Sequence, residues 1–234
     1  MANVIAVIPA RGGSTRIPKK NIRLFLGKPI ITYAISAALN CDEISEVMVS
    51  TDSEEIAEIA RNAGAAVPFM RDANLADNYT NVNSVILDVI RRYEENGRQF
   101  DYIVCLYPTA PFVTSEQIKE AIRLMEKNNA DEAKMLAAFS FPPQRGMIIG
   151  PDGFTVYKYP KYASTRSQDL ETIYHDVGQL YVYRTDAFIR FNGNITEKVV
   201  PILVDENEVQ DIDNEADWIA AEQKYRLLHS GNPS

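Results

Sequence analysis

Apolar residues form short runs and helical repeats in alternation along the first 140 residues. Runs rich in β-branched residues predict buried strands over 4–8, 46–50, 65–69, 102–106 and 135–139. Between them, apolar residues at helical spacing predict helices over 29–39, 54–63, 81–96 and 115–127. This order is typical of an α/β fold with a mainly parallel sheet and helices on both faces. Ligands of such sheets bind at the carboxyl ends of the strands.

Polar residues predict where two of these helices begin. Thr51-Asp52-Ser53-Glu54 has the spacing of a capping box for the helix over 54–63. Asp52 is therefore interpreted as a capping or turn residue, with a catalytic carboxylate as the alternative. Thr80 follows a polar, loop-like stretch over 71–80 and is predicted to cap the helix over 81–96.

Residues 141–174 interrupt the alternation. They contain four prolines, three glycines and a polar run over 164–169, a composition that predicts an extended hairpin or arm. Strands are predicted again over 178–183 and 199–202, followed by an amphipathic helix over 215–228 and an unstructured tail from Ser230. We predict one domain over 1–234 with an inserted arm at about 141–174.

Composition limits the classes of function. A chain of 234 residues with 46% hydrophobic content can form one α/β domain with a full core, and its net charge of −8 argues against a nucleic-acid or anionic-membrane partner. Cys41 and Cys105 lie far apart without zinc spacing, which indicates free thiols in a reducing compartment. No apolar run approaches membrane-spanning length, so we expect a cytoplasmic protein.

The loop after the first strand, residues 8–21, combines paired glycines with cations. Residues 1–41 contain six of the 24 Lys and Arg residues and none of the 32 Asp and Glu residues. Glycines let a backbone approach a ligand, and exposed N–H groups beside cations suit a phosphate. An ordinary solvated surface loop is the alternative, since neither Gly-Lys-Ser/Thr nor Gly-x-Gly-x-x-Gly is present. The cations that suit an anion here are Arg11, Arg16, Lys19 and Lys20, beside the paired glycines Gly12 and Gly13.

Two carboxylates near the C-terminus are candidates for a metal site. In an extended segment, Asp211 and Asp213 share one face and Ile212 takes the other. Two carboxylates suit Mg²⁺, which fills its remaining positions with water and substrate phosphate. Alternatively, Asp213 or Asn214 only caps the final helix.

Histidine and arginine suggest a second ligand contact. His175 lies beside Asp176 and just before a strand, which suits ligand binding or acid–base chemistry, although a lone histidine can also be structural. Arg166 in the arm could pair with a carboxylate ligand or be only a solvated surface residue. These residues alone indicate an α/β protein with an anion site and do not name a reaction.

Four motifs together resemble the acylneuraminate cytidylyltransferases, which make CMP-sialic acids. They are Ile-Pro-Ala-Arg-Gly-Gly-Ser-Thr-Arg-Ile-Pro-Lys-Lys-Asn at 8–21, Val-Ser-Thr-Asp-Ser-Glu-Glu-Ile-Ala-Glu at 49–58, Tyr-Pro-Thr-Ala-Pro-Phe at 107–112 and Asp-Ile-Asp at 211–213. The match runs from residue 4 to about 228. Within this family, residues 165–179 look like those of the pseudaminic acid cytidylyltransferases, whose product is a donor for bacterial flagellin or surface-polysaccharide glycosylation.

The resemblance implies a three-layer, Rossmann-like nucleotidyltransferase fold and transfer of CMP from CTP to a nine-carbon α-keto acid sugar, with release of pyrophosphate. It implies that the loop holds the nucleotide, that Asp211 and Asp213 bind Mg²⁺, and that the arm over 141–174 forms a homodimer. The implied catalytic residues are Arg11, Lys20, Asp211 and Asp213. The implied nucleotide contacts are Arg11, Gly12, Gly13, Ser14, Arg16, Lys20, Asn21, Arg71, Asp77, Thr80 and Thr109. The implied sugar contacts are Arg166, Gln168, His175, Asp176 and Gln179.

Two departures from the family pattern bear on specificity. Many relatives have lysine where this loop has Thr15, and Arg16 could supply that charge instead. Sialic acid enzymes tend to carry an Arg-Pro-Asn-Gly-like element where this chain has His175-Asp176-Val177-Gly178, which favours a sugar other than N-acetylneuraminic acid. The alternatives are a cytidylyltransferase for N-acetylneuraminic, legionaminic or 3-deoxy-manno-octulosonic acid, or a non-catalytic nucleotide-binding protein.

Overall fold

A six-stranded sheet forms the centre of the computed structural model, which describes residues 2–77 and 80–230. Asn78 and Tyr79 of the predicted loop, and the tail beyond Ser230, lie outside the described residues. The strands are β1 (Val4–Pro9), β2 (Leu24–Phe25), β3 (Lys28–Pro29), β4 (Glu46–Ser50), β5 (Tyr102–Leu106), β6 (Glu132–Ala138), β7 (Met147–Ile149), β8 (Thr155–Tyr157), β9 (Tyr174–Arg184) and β10 (Val199–Val204). The helices are α1 (Ile31–Leu39), α2 (Glu54–Asn62), α3 (Val82–Glu95), α4 (Ser115–Asn128), α5 (Thr185–Arg190) and α6 (Glu215–His229).

The central sheet has the strand order β10-β6-β9-β5-β1-β4, and within it only β9 runs against its neighbours. Apolar residues of α1, α2 and α4 pack on one face, and those of α3 and α5 pack on the other. The predicted three-layer fold with a mainly parallel sheet is therefore confirmed. No helix among the described residues is long and apolar enough to cross a membrane.

The predicted strand over 65–69 is wrong. Ala66 makes one isolated parallel bridge to Met48, accepting a hydrogen bond from Val49 N and donating one to Val47 O. Pro68 has no N–H to continue a ladder, so the pairing ends there. The chain turns away after this bridge and returns to the sheet at Arg71, whose N–H donates to Thr51 O.

Three helix starts differ from the prediction. The capping box at 51–54 is wrong, because Ser53 occupies the N-cap of α2 without a side-chain bond and Thr51 Oγ1 accepts from Ser53 N instead. Asn81, rather than Thr80, caps α3 by accepting from Ser84 N. Pro29 pairs in the β2–β3 hairpin, so α1 begins two residues later than predicted. Helix α5 was not predicted.

The predicted arm contains an antiparallel hairpin of β7 and β8. Its apolar side chains are unusually exposed: Ile149 is 76% exposed and Phe154 is 73% exposed. Met147, Ile148 and Val156 are also exposed. Exposed apolar residues concentrated on one hairpin are typical of a surface that contacts another protein. The two cysteines are buried free thiols, as predicted.

Candidate active site

The glycine loop leaves β1 at the carboxyl edge of the sheet. The buried amide of Asn21 donates to Arg11 O at 2.9 Å, which holds the two ends of the loop together. Gly12 N donates to Asp52 Oδ1 at 2.8 Å. A Cβ at Gly12 would lie 3.0 Å from Ser53 Cβ, so a larger residue here would push the loop away from α2. Asp52 thus fixes the loop and does not cap the helix.

A cavity of about 260 Å³ opens beside this loop. Of the eleven predicted nucleotide-binding residues, eight line it, namely Arg11, Ser14, Lys20, Asn21, Arg71, Asp77, Thr80 and Thr109. Gly12, Gly13 and Arg16 lie on the exposed side of the loop. The predicted convergence of the loop, Arg71 and Thr109 at one edge of the sheet is therefore present in the fold.

Arg71 brings a buried positive charge to this cavity. Its side chain donates to Ser50 O at 2.6 Å and to Ser50 Oγ at 3.2 Å, and the residue is 8% exposed. Burial lowers the pKa of Arg71 to about 10, so the guanidinium remains charged at neutral pH. A desolvated cation held by the end of β4 is well placed to contact an anionic or polar ligand.

The loop around Asp77 encloses the opposite side of the cavity. Arg11 Nη1 donates to Asp77 O at 2.9 Å. Asp77 Oδ1 accepts both the N–H and the hydroxyl of Thr80 at 2.7 Å each. Arg11 therefore connects the glycine loop to this wall, and a ligand in the cavity would lie between the two.

A shared hydrophobic cluster places the segment that contains Asp211 and Asp213 next to the glycine loop. Ile212 is fully buried and belongs to the same cluster as Ile17 of the loop. Lys20 Nζ donates to Ile212 O at 2.7 Å and lies 3.7 Å from Asp213 Oδ1. Arg16 Nη1 lies 2.8 Å from Asp213 Oδ2. Alternation around Ile212 thus places the carboxylates beside the loop cations.

The capping alternative applies to Asn214 and not to Asp213. Asn214 Oδ1 accepts from Ala216 N and Asp217 N, and Asp217 Oδ2 accepts from Asp213 N and Asn214 N. This is a complete capping box for α6. The carboxylate of Asp213 is not used by the helix and is directed to the loop cations.

The two aspartates have the chemistry of a divalent-cation site. Burial, and then the negative charge of Asp213, raise the pKa of Asp211. A cation between the two carboxylates would offset both the desolvation of Asp211 and the repulsion between the two negative charges. Among the described residues no group of three or more His, Cys, Asp and Glu side chains could hold a metal. The pair fits Mg²⁺, which is commonly held by one or two carboxylates plus water and phosphate.

Replacing Asp211 with asparagine tests whether this carboxylate is kept at the expense of stability. Because the folded-state pKa is raised, the native protein binds more protons than the unfolded chain, and stability falls as the pH rises from the unfolded pKa through the folded pKa. In metal-free protein, Asp211→Asn should therefore melt at or above the wild-type temperature at pH 7 and lose that advantage in acid. Lower stability of the variant at pH 7, measured by thermal denaturation, would assign Asp211 a structural role.

Strand β9 is irregular at the predicted sugar residues. Asp176 pairs with Leu136 and Tyr181 with Lys134, so β9 has extra residues between them and bulges. Gly178 has a φ of +64°, which favours glycine at this position. Asp176 Oδ1 accepts from Gly178 N at 2.9 Å and from the Tyr181 hydroxyl at 2.7 Å. Asp176 therefore holds the bulge and orients a tyrosine.

A second cavity of about 300 Å³ adjoins the first, because Tyr107 lines both. Its wall includes Glu132, Lys134, Tyr181 and Tyr183. Glu132 and Lys134 were not predicted as site residues because the predicted strand began at Met135, and Tyr181 and Tyr183 were predicted only as strand residues. Glu132-Ala133-Lys134 at the start of an apolar strand was the available signal, since charged residues rarely occupy a central strand without a partner.

All five predicted sugar residues, Asp176 included, lie outside these two cavities in the single chain. Arg166 pairs with Asp169 at 2.8 Å on the exposed arm, where Gln168 also lies. His175 is half-buried, its ring centre 4.8 Å from that of Phe139. Gln179 is buried and donates to Gln210 O at 3.3 Å, while its Oε1 has no hydrogen-bond partner among the described residues.

A larger cavity of about 850 Å³ lies between α1, α4 and α6. Its wall includes Tyr33, Phe112 and Tyr225, and it is not lined by the loop cations. Size alone would favour it. Convergent charges at the carboxyl ends of parallel strands favour the smaller cavity beside the glycine loop as the active site.

Comparison with known proteins shows which family the chain matches. Residues 5–200 match the Cytidylyltransferase family. Pseudaminic acid cytidylyltransferase of Campylobacter jejuni is 36% identical over 225 residues, covering 96% of this chain and 97% of that protein. CMP-N,N'-diacetyllegionaminic acid synthase of Legionella pneumophila is 32% identical, covering 96% of this chain and 97% of that protein.

A solved structure shows the same fold. CMP:2-keto-3-deoxy-manno-octonic acid synthetase complexed with CTP aligns with a TM-score of 0.70 at 18% identity, covering 98% of this chain and 99% of that one. At this identity the likeness is one of fold alone. Together with the family match and the near full-length relatives, it establishes that the chain belongs to the cytidylyltransferase family of nucleotidyltransferases.

Proposed function

We propose that the chain transfers CMP from CTP to pseudaminic acid and releases pyrophosphate. The observation that carries this proposal is the contact between Asp213, of the pair Asp211 and Asp213, and the cations of a glycine-bearing loop that borders a cavity. The sugar follows from the relatives, because a C. jejuni enzyme named for pseudaminic acid is 36% identical over nearly the full length.

The loop would bind and orient the triphosphate. Arg11, Lys20 and Asn21 supply charge and hydrogen bonds to the phosphates, and Arg71 accommodates the cytidine together with Asp77 and Thr80. The oxygen of the sugar's anomeric hydroxyl forms a new bond to the α-phosphorus and gives up its proton to water. The bond from the α-phosphorus to the oxygen of the β-phosphate breaks, and pyrophosphate leaves with that electron pair. Positioning and charge stabilisation are the main contributions required of the protein.

Mg²⁺ is the cofactor in this proposal, held by Asp211 and Asp213. When bound, it supplies positive charge that polarises the phosphates and neutralises the leaving pyrophosphate. Lys20 has a related role from the protein side, because its ammonium lies between the nucleotide cavity and Asp213.

The sugar would occupy the second cavity, next to the α-phosphate end of the first. Tyr107 lines both cavities, so a ligand in one is adjacent to a ligand in the other. Arg166 and Gln168 would act on the partner subunit's sugar, since they lie on an exposed arm. The exposed apolar hairpin of β7 and β8 supports a homodimer through this arm. We expect the enzyme to work in the cytoplasm, where CTP is available.

A panel of sugars tests the proposal. Pyrophosphate release is measured with CTP, Mg²⁺ and, in turn, pseudaminic, N,N'-diacetyllegionaminic, N-acetylneuraminic and 3-deoxy-manno-octulosonic acid. We expect the highest kcat/KM with pseudaminic acid. Higher kcat/KM with any other member of the panel would contradict the substrate assignment, and no release with any of them would contradict the activity.

His175→Ala should affect the sugar more than the nucleotide. His175 lies outside the second cavity, but it precedes Asp176, whose carboxylate accepts from the Tyr181 hydroxyl on that cavity's wall. The Nδ1 of His175 lies 3.1 Å from Asp176 O. We expect the KM for the sugar to rise about tenfold, a loss comparable to one good hydrogen bond, with CTP affinity unchanged. Steady-state kinetics with calorimetry for CTP measure both. A selective loss of CTP affinity would contradict a role for His175 in sugar binding.

A further inference from the structure

Strand β6 carries a charged pair on the wall of the second cavity. Glu132 is 3% exposed, and its Oε1 lies 3.2 Å from Lys134 Nζ. Lys134 Nζ also lies 3.9 Å from Asp176 Oδ2. One ammonium therefore serves two carboxylates, and burial raises the pKa of Glu132 while Lys134 opposes that rise.

This pair is poorly explained as a stabilising element of the fold. Burying a charged pair costs desolvation, and apolar residues of similar size are often as stabilising or more so. The neighbouring positions on the other face of β6, Ala133 and Met135, are packed in the apolar core, so the strand readily accommodates apolar residues. Glu132 and Lys134 line a cavity instead of filling the core.

The surroundings of the pair combine polar and apolar contacts. Tyr181 lies next to Lys134, with the ammonium 5.9 Å from its ring centre, and is stacked against Tyr183 at 6.1 Å. Tyr107 lies 5.8 Å from Tyr181 and separates this cavity from the nucleotide cavity. A ligand here would meet one acceptor, one donor and aromatic faces within a cavity of about 300 Å³.

We propose that Glu132 and Lys134 form the subsite for an acylamino substituent of the sugar and thereby contribute to sugar selection. An amide offers an N–H to the carboxylate of Glu132 and a carbonyl oxygen to the ammonium of Lys134. Its acyl methyl group can rest on the tyrosine faces. The proposal rests on the proposed function, and it adds two specificity-determining residues to it.

The subsite is expected to favour a sugar with the acyl group over one without it. A sugar without the acyl group offers no carbonyl to Lys134, so the half-buried ammonium would lose that ligand contact. Sites that are built to hydrogen-bond a ligand reject analogues that lack the matching group, because their buried polar groups are left unpaired. A free amine at the same position is protonated at neutral pH, and the ammonium of Lys134, which already pairs with Glu132, would repel it.

The test is a cycle of enzyme variants and sugar analogues. Wild type, Lys134→Met and Glu132→Gln are assayed for kcat/KM with pseudaminic acid, which carries two acylamino groups, and with its two mono-de-N-acylated analogues. Lys127→Met, on the exposed end of α4, is the control. Wild type and the control should prefer the diacylated sugar over one analogue by at least about tenfold, and Lys134→Met should lose that preference.

Glu132→Gln should weaken turnover of the diacylated sugar without abolishing it, because the amide of glutamine still offers an acceptor. CTP affinity and the melting temperature verify that each variant is folded. An equal loss for all three sugars, or an unchanged preference in Lys134→Met, would overturn the subsite. If wild type released no pyrophosphate, the proposed activity would be wrong. The subsite would then be tested by calorimetry, by comparing the affinity for the diacylated sugar with that for each analogue in wild type and in each variant.

Discussion

Replacing Lys20 with alanine is expected to lower pyrophosphate release about 10³-fold, the loss typical of removing one preorganised donor to a developing charge. Lys20 lines the nucleotide cavity and donates to Ile212 O at 2.7 Å, with Asp213 3.7 Å away. Its ammonium thus faces both the phosphates and the aspartate pair. Single-turnover kinetics at saturating CTP measure the chemical step directly.

Lys19→Ala is the matched control for this prediction. Lys19 is the preceding residue in the chain, and its ammonium pairs with Glu55 at 2.7 and 2.8 Å on the protein surface. It does not line the nucleotide cavity. We expect turnover within about twofold of wild type, because exposed ion pairs contribute little. A Lys20→Ala enzyme that retained wild-type turnover would exclude Lys20 from charge stabilisation.

Asp213→Ala is expected to remove magnesium-dependent turnover, with a loss of at least about 10³-fold, while CTP binding without added divalent cation is retained. The carboxylate of Asp213 contacts Arg16 and Lys20 and is not used to cap α6. Removing it eliminates one of two proposed metal ligands and releases two cations for the triphosphate. Calorimetry with CTP, with and without Mg²⁺, separates these effects.

Asp42→Ala supplies the control, since Asp42 is an exposed residue in the turn before β4. It should match wild type in both CTP binding and magnesium dependence. An Asp213→Ala enzyme whose turnover still required Mg²⁺ at an unchanged concentration would contradict the metal assignment. Loss of CTP binding in the absence of Mg²⁺ would instead make Asp213 a structural anchor of the loop.

Local pattern and topology predicted much of this site. Alternation about Ile212 correctly placed its side chain in the core and the two carboxylates on the other side. Parallel-sheet topology correctly predicted that the glycine loop and Thr109 would meet at one edge. The first inference depends on the two-residue period of side chains in an extended segment, and the second depends on the direction of the strands. Both can be inferred from the order of residues in the sequence.

Other parts of the site depend on contacts between distant segments, and the sequence does not express these. Arg71 reaches the cavity through Ser50 and not from the end of a third strand, because Pro68 ends the pairing early. Asp52 fits a local capping pattern, yet its carboxylate holds Gly12 forty residues away. The hydrogen bond from Gly12, and not the local capping pattern, therefore determines the role of the Asp52 carboxylate.

The second cavity was missed for a related reason. Glu132 and Lys134 become neighbours of Asp176 only because β9 inserts antiparallel between β5 and β6 and bulges at Gly178. No periodic pattern of hydrophobic residues predicts that a strand inserts between two others. The predicted sugar residues Arg166 and Gln168 lie on the exposed arm, so a single chain does not bring them to either cavity.

Identifying the product by ³¹P NMR and mass spectrometry tests the central claim most directly. The enzyme is incubated with CTP, Mg²⁺ and pseudaminic acid. We predict a sugar-dependent conversion of the triphosphate resonances into one phosphodiester and one pyrophosphate signal, with a product mass equal to the sugar plus CMP minus water. Formation of CDP and orthophosphate, or CTP consumption that did not depend on the sugar, would contradict the account.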